Sequence, residues 1–413
     1  MSGCTNCHTY ERIAKSTYTT EDFVNTVLPR MATYSSQAFP PLRQVRKVPR
    51  NMVTLLGPLA PRIAGSLAEI NLSTHESWSY ALKTLPRPAG RATRVVITEY
   101  DLPRKQIQPH DVVLDKGGTV WFSDFGENML GEMNAKTGAV IEHHYDVSRP
   151  GYAHGNLDLE IDADGALWLA MMNQTGFARF DPVTGKFELH PLPQQMLNDS
   201  TQQAMVAPTH RKVDGKVWFN DTETIQIGCV DLNTGTYDPW WQPFRAAPRG
   251  PHVVYGIYTD SQNNLFFADF GGEAIGRIDA KTAEVALFMT PTIRSRPRRG
   301  RMDLQDRLWF AEFGAGKLAV FDTRTATFKE WDVPTPYSAP YDAVSDRFGG
   351  VWASGMNDDR VTRIDTLTGD TVQYLMPRPT NVRRVFVDDS GPHPVFWTGS
   401  NHNASIVKVE PLD

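Results

Sequence analysis

Trp121-Phe122-Ser123-Asp124 returns along the chain as Trp168-Leu169-Ala170-Met171, Trp218-Phe219-Asn220-Asp221, Phe266-Phe267-Ala268-Asp269, Trp309-Phe310-Ala311-Glu312, Trp352-Ala353-Ser354-Gly355 and Trp397-Thr398-Gly399-Ser400. The steps between the leading aromatics are 47, 50, 48, 43, 43 and 45 residues. Strand-like segments at a period of about 40–50 residues are the signature of propeller blades. Seven copies predict an all-β, seven-bladed β-propeller. Function must then be sought in what the copies do differently, since the shared residues build the fold.

Around each copy the sequence reads as four short strands punctuated by Gly/Asp turns. The first repeat has Asp111-Val112-Val113-Leu114, a turn at Asp115-Lys116-Gly117-Gly118, Val120-Trp121-Phe122, Leu130-Gly131-Glu132-Met133, a Lys136-Thr137-Gly138 turn and Val140 to His144. The third strand and its turn recur as Ala178-Arg179-Phe180-Asp181 with Thr184-Gly185, and as Arg363-Ile364-Asp365 with Thr368-Gly369. The seventh repeat ends with Ile406-Val407-Lys408-Val409 and lacks a fourth strand. Val95-Val96-Ile97-Thr98-Glu99-Tyr100 precedes the first repeat and is a spare strand. Pairing the two closes the ring and protects an edge.

Composition sets outer limits. The chain of 413 residues is 40% hydrophobic and 22% charged, with a formal net charge of −5. Residues 1–90 carry ten Lys/Arg against five Asp/Glu, and the remainder 32 against 42. An acidic propeller is a poor nucleic-acid binder. No apolar run approaches the ~18 residues that span a membrane.

Cys4-Thr5-Asn6-Cys7-His8 has the spacing for covalent haem c: two thiols for the vinyl groups and an adjacent imidazole for iron. The segment 1–75 accordingly reads as a small α-helical, cytochrome c-like domain, truncated at its N-terminus. It has a helix Glu21 to Met31 capped by Thr20, a second helix Ile63 to Leu72, and 76–93 as linker to the propeller at 94–413. Met31 is the first candidate for the sixth iron ligand and Met52 the second. Cys229 is an isolated thiol. Haem attachment takes place outside the cytoplasm, so a periplasmic or secreted protein with an electron-transfer partner is expected. No charged and apolar leader precedes Cys4, and a fragment of a longer exported chain accounts for that.

Pro109-His110-Asp111, Asp164-Gly165-Ala166-Leu167-Trp168 and Ile275-Gly276-Arg277-Ile278 carry a resemblance. The repeats over 94–413 resemble those of the virginiamycin B lyase (streptogramin B lyase) family. The resemblance implies a propeller whose catalytic histidines and magnesium-holding acids lie on the last two blades, and a reaction that opens a lactone by elimination. At those positions this chain has Tyr341, Arg383 and Ser400, so the family's base and metal ligands are replaced.

Counting back from each aromatic places His110, Leu157, Thr209 (beside His210), Tyr255, Arg298, Tyr341 and Arg383 at the inner-strand starts, on one rim of the channel. Counting forward by three gives Asp124, Met171, Asp221, Asp269, Glu312, Gly355 and Ser400. Convergent polar groups at a channel mouth are a site. His110, Asp124, Tyr255, Arg298, Tyr341 and Arg383 form the expected catalytic set, and Asp221, Asp269 and Glu312 are candidate magnesium ligands. His110, His154 and His210 come from three consecutive blades and form an alternative metal set. Arg294, Arg296, Arg298, Arg299 and Arg301 read as a clamp for an anionic small molecule or for haem propionates, or as a solvated loop. Three functions follow: a haem c redox protein with a small-molecule rim site, a metal-assisted lyase or hydrolase of cyclic esters, and a ligand-binding propeller without catalysis.

Overall fold

The computed structural model describes residues 11–34, 44–73, 84–245 and 250–412. Two compact units result: Met1–Arg87 with Gly151–Ala153, and Pro88–Pro150 with His154–Asp413.

The larger unit is the expected propeller. Seven four-stranded antiparallel sheets follow one another. The first runs outward through Pro109–Leu114, Thr119–Asp124, Met129–Asn134 and Val140–His144. In the seventh, Val382–Asp388, Val395–Ser400 and Ser405–Pro411 are completed by Val95–Asp101, in register from Val95↔Pro411 to Asp101↔Ser405. Arg378 fastens this closing strand, with Nε donating to Glu99 at 2.8 Å and Nη2 to Asp101 at 2.8 Å.

In four blades a carboxylate six residues before the tryptophan shapes the inner hairpin. In blade one, Asp115 Oδ1 accepts from the Gly117 and Thr119 amides at 2.8 and 3.0 Å, while Oδ2 accepts from Trp121 Nε1 at 2.9 Å. The same side-chain turn recurs at Asp162–Trp168, Asp303–Trp309 and Asp346–Trp352. It satisfies the indole N–H where the ring is buried between sheets. Packing across the sheet is equally specific: a Cβ on Gly131 would lie 2.0 Å from the Phe122 ring, and one on Gly276 1.9 Å from Phe267.

The smaller unit departs from the sequence expectation. Thr19, not Thr20, caps the first long helical run in a reciprocal capping box with Asp22. The run then passes through a π-helical stretch, Phe23–Val27, just before Leu28–Arg30. Pro29 cannot donate to the helical ladder, which accounts for the irregularity. The second helix is Ala60–Glu69, with Pro61 in its first turn. Phe23, Leu28, Ala60, Ala64 and Leu67 form the core. A two-stranded sheet, Ala32–Tyr34 with Val45–Arg50, was not anticipated. Short helices with a small sheet do not show a cytochrome c-like domain. Cys4, Cys7 and His8 lie outside the described residues. Met31 ends its helix 37% exposed, whereas Met52 packs against the helical core. Of the expected linker, the described part is irregular up to Ala89, then forms a 3-10 turn at Gly90–Thr93. No helix among the described residues is long and apolar enough to cross a membrane.

Candidate functional site

A β-bulge at the start of the inner strand decides what faces the channel. In blade one, Pro109 pairs with Asp124 and Val112 with Phe122, so His110 and Asp111 together oppose Ser123. The same two-against-one register occurs at Ala204-Met205, Tyr255-Gly256, Arg298-Arg299 and Arg383-Arg384. Bulges re-aim side chains near functional sites. Here they set one residue of each pair on the rim and the next inside the channel. The second strand supports the distortion: Ser123 Oγ accepts from the Asp111 amide at 3.1 Å, and Asn220 Oδ1 from the Met205 amide at 2.8 Å.

The rim gathers five of the six expected catalytic residues. Tyr255 Oη and Tyr341 Oη are hydrogen-bonded at 2.6 Å, Tyr341 Oη lies 3.3 Å from His110 Nε2, and His110 Nδ1 lies 2.7 Å from Asp111 Oδ1. His110 and Tyr341 are buried, while Tyr255 is partly open. The Arg298 guanidinium is centred 4.0 Å from the Tyr341 ring, 4.5 Å from Phe270, 4.6 Å from Phe313 and 5.1 Å from Tyr255. Arg383 lies 5.4 Å from the Tyr341 ring, and both arginines approach Met356 Sδ, at 3.8 and 3.6 Å. Burial pulls the His110 imidazole down to about 4, against the attraction of Asp111, so it is neutral at physiological pH. Burial and the neighbouring Tyr255 push the Tyr341 phenol up, and the guanidinium groups of Arg298 and Arg383 oppose that rise.

Immediately beneath the rim the channel is plugged by charge. Arg299 donates to both oxygens of Asp111 at 2.9 and 2.8 Å and contacts Asp158 at 2.5 Å. Arg384 reaches Asp158 at 2.8 Å and the Leu159 carbonyl at 2.7 Å, and also holds Glu160. Arg299 holds the Asp111 carboxyl well below the usual range, although burial opposes it. The same carboxylates staple blades together. Asp111 Oδ2 accepts from the Leu159 amide, Asp158 Oδ2 from Val206, and Asp342 Oδ2 from Val385, at 3.0–3.1 Å. The plug was not anticipated, although the residue after the rim position is charged in blades one, two, five, six and seven.

The remaining expected residues are placed differently. Asp124 does not join His110 in the relay; it accepts from the backbone amides of Gln108, Gly126 and Glu127 at 2.7–2.8 Å. Asp221 likewise ties the amides of Gln202 and Glu223, and Asp269 those of Val253 and Gly272. Glu312 is buried beside Glu330, which together with desolvation pushes its carboxyl up to about 8. Asp221, Asp269 and Glu312 are not brought together as a metal set, and neither are His110, His154 and His210: no group of three or more His, Cys, Asp or Glu among the described residues is placed to share an ion. The donors that do converge on the rim are phenols, an imidazole and two guanidinium groups, a set that does not fit magnesium. In blade three the rim position is Ala204, not Thr209. The hairpin Pro208–Gly215 is longer there and lacks the carboxylate that pins Trp121, Trp168, Trp309 and Trp352, so Trp218 Nε1 donates instead to the Asn263 carbonyl at 3.1 Å. Thr209 and His210 consequently sit near the opposite mouth, where His210 Nδ1 meets Thr259 Oγ1 at 2.9 Å. The arginine run is not one clamp. Arg298 and Arg299 are buried in different layers, Arg301 lies deeper still, Arg296 stacks on Phe270 at 4.4 Å, and Arg294 is exposed.

Residues 143–354 match the model of the Virginiamycin B lyase family. No protein of curated function matches the chain. Among solved structures, virginiamycin B lyase from Staphylococcus aureus superposes with a TM-score of 0.63 at 21% identity, covering 76% of this chain and 99% of the other. A streptogramin B lyase gives a TM-score of 0.65 at 21% identity, covering 78% and 99%. The WD40 repeats of RRP9 reach a TM-score of 0.57 at 10% identity, covering 76% and 97%. Likeness at these identities extends to the fold.

Proposed function

Since the chain belongs to the virginiamycin B lyase family, we propose that its rim is a general-base site acting on a small molecule, with a Tyr–Tyr–His–Asp relay of which Tyr341 stands at one of the positions where the family is expected to carry histidines and metal ligands. The observation that carries this reading is the continuous path from Tyr255 through Tyr341 and His110 to Asp111.

Neutral His110 has Nε2 available to accept a proton from Tyr341, and Asp111 fixes the tautomer by accepting from Nδ1–H. Tyr341 then takes the Tyr255 proton, and Tyr255, the partly open member, takes the proton of the substrate. Arg298 and Arg383 favour negative charge on the phenols and on a substrate oxygen as it develops. The reaction class is elimination in a cyclic ester. The proton next to the carbonyl leaves to the relay, its electron pair becomes a carbon–carbon double bond, and the ring C–O bond breaks to release a carboxylate.

The test is mass spectrometry of a cyclic depsipeptide and lactone panel incubated with the protein. Elimination opens the ring with no change of mass and adds an absorbing double bond; hydrolysis adds the mass of water. Ring opening lost in Tyr341→Phe supports the reading. A panel left intact by the wild-type protein, or opening that is equal in Tyr341→Phe, overturns it.

A second reading is favoured by Cys4-Thr5-Asn6-Cys7-His8: haem c on the smaller unit, hence a location outside the cytoplasm and an electron-transfer partner. Haem would supply one-electron chemistry there, with Met31 and Met52 as the candidate sixth ligands. Expression with cytochrome c maturation tests this by the visible spectrum. Covalent haem that disappears in Cys7→Ala supports it, and a haem-free product overturns it.

A further inference from the structure

The channel has a second mouth, beyond the charge plug. A cavity of about 580 Å³ opens there, within the range of small-molecule sites. Its floor is the channel layer two residues deeper than the plug: Val113, Glu160, Ala207, Tyr258, Arg301, Val344 and Phe386. Ile257 and Val387 extend the apolar wall, and the hairpins at Lys116 and at Thr209–His210 form its edge.

The charges around this cavity are unequally matched. The acids are already engaged. Glu160 is held by Arg384, Asp115 by its own turn and Trp121, Asp162 by Trp168 and Arg211, and Asp164 by Arg211 and Lys212. Arg301 is different. Its Nη2 donates to the Val385 carbonyl at 3.2 Å, while Nη1 stays 3.6 Å from Glu160, beyond hydrogen-bonding distance. A guanidinium has five N–H donors in a planar fork that matches a carboxylate, and this one is 19% exposed over an apolar wall. Lys116 adds a second positive charge at the edge.

We propose that this second mouth is a binding site for a small carboxylate with an apolar body, its head on Arg301 and its chain along Val113, Ile257, Val344 and Phe386. The site is separated from the rim by the Arg299–Asp111–Asp158–Arg384 plug, so its occupant need not be the molecule handled at the rim.

Calorimetric titration of the full chain with octanoate tests the proposal, with octylamine and octanol as charge controls. Saturable octanoate binding is expected, weakened about 10-fold or more in Arg301→Met by loss of the charge-assisted pair. Thr209→Trp, an exposed edge position that leaves the plug intact, should block it as well, and this variant separates a lost site from a lost fold. Tyr341→Phe should bind octanoate like the wild type. The proposal is overturned by an absence of saturable octanoate binding, by octylamine or octanol binding as tightly, or by octanoate affinity that is unchanged in both Arg301→Met and Thr209→Trp.

Discussion

His110 and Asp111 are consecutive, and so are Arg298 and Arg299, and Arg383 and Arg384, yet the two members of each pair live in different chemical worlds. The second members face one another in the channel as ions paired at 2.5–3.3 Å and almost wholly buried. The first members form a layer of hydrogen-bonded neutral groups, with guanidinium groups laid on ring faces. A buried ion pair is weak as a source of net stability, but breaking one side is costly, because a charge is left uncompensated. The lower layer is therefore structural: it fixes blade order and seals the channel. The upper layer has the groups that can change protonation state, and that is where chemistry belongs.

The sharpest way to break this division is to cut both members of one pair. Arg299→Met leaves Asp111 and Asp158 facing each other in the interior and is expected to cost about 3–5 kcal/mol. Arg298→Met loses contacts with ring faces, worth about 1–2 kcal/mol. Urea denaturation followed by tryptophan fluorescence compares them. Equal losses would mean that the rim is as structural as the plug.

Tyr341→Phe addresses the upper layer alone. The hydroxyl that joins Tyr255 to His110 disappears while the ring under Arg298 remains. Turnover on any substrate the rim accepts should fall about 100-fold, some 2.7 kcal/mol of barrier, the lower range for a positioned proton-transfer group. Folding stability should move by less than about 1 kcal/mol. Steady-state kinetics beside a melting curve reads both.

Asp124 and the rim histidine invite the third cut. The sequence places them on one mouth, and the structure does so too, but Asp124 spends its oxygens on three backbone amides. Asp124→Ala should destabilise by about 1–3 kcal/mol through those buried amides and leave the pH profile of the relay in place. A variant that folds normally but shifts that profile would move Asp124 into the machinery.

How the sequence could be read follows the same physics. The blades were legible because an indole needs a partner for its N–H, and an aspartate six residues earlier supplies it at fixed spacing in four blades. The ring closure by Val95–Asp101 was legible because an unpaired edge and a spare strand imply each other. Counting failed in blade three, where the pinning aspartate is absent and the hairpin lengthens, so Thr209 was taken for Ala204. The pairing of Asp111, Asp158, Arg299 and Arg384 inside the channel was not legible for another reason. A bulge breaks the alternation of strand faces, and an in-phase strand would turn every residue after a rim position away from the channel. Nothing in the spacing of Trp121, Phe122 and Asp124 announces a bulge on the partner strand.

Glu312 gives the finest comparison, because it stands where Asp124 and Asp269 stand on their blades but is one methylene longer and does not tie the loop amides. Buried beside Glu330 and raised to about 8, it keeps its proton in the folded protein at neutral pH, whereas the unfolded side chain releases it near its ordinary value of 4.5. Between those values the folded state binds more protons than the unfolded one, so this residue lowers stability as pH rises, and its contribution is complete only below about 4.5. His110 has the opposite sign: with its imidazole held near 4, it costs stability as pH falls from about 6.5 toward 4. Glu312→Gln should therefore flatten the decline above about pH 6.5, where His110 no longer titrates, by roughly 1 kcal/mol per pH unit at its steepest, and steepen the rise between about 4.5 and 6.5, where the two groups act with opposite signs. Melting curves from pH about 5 to 8.5 separate the two limbs. An alkaline limb identical in Glu312→Gln would place an ionised carboxylate at this position.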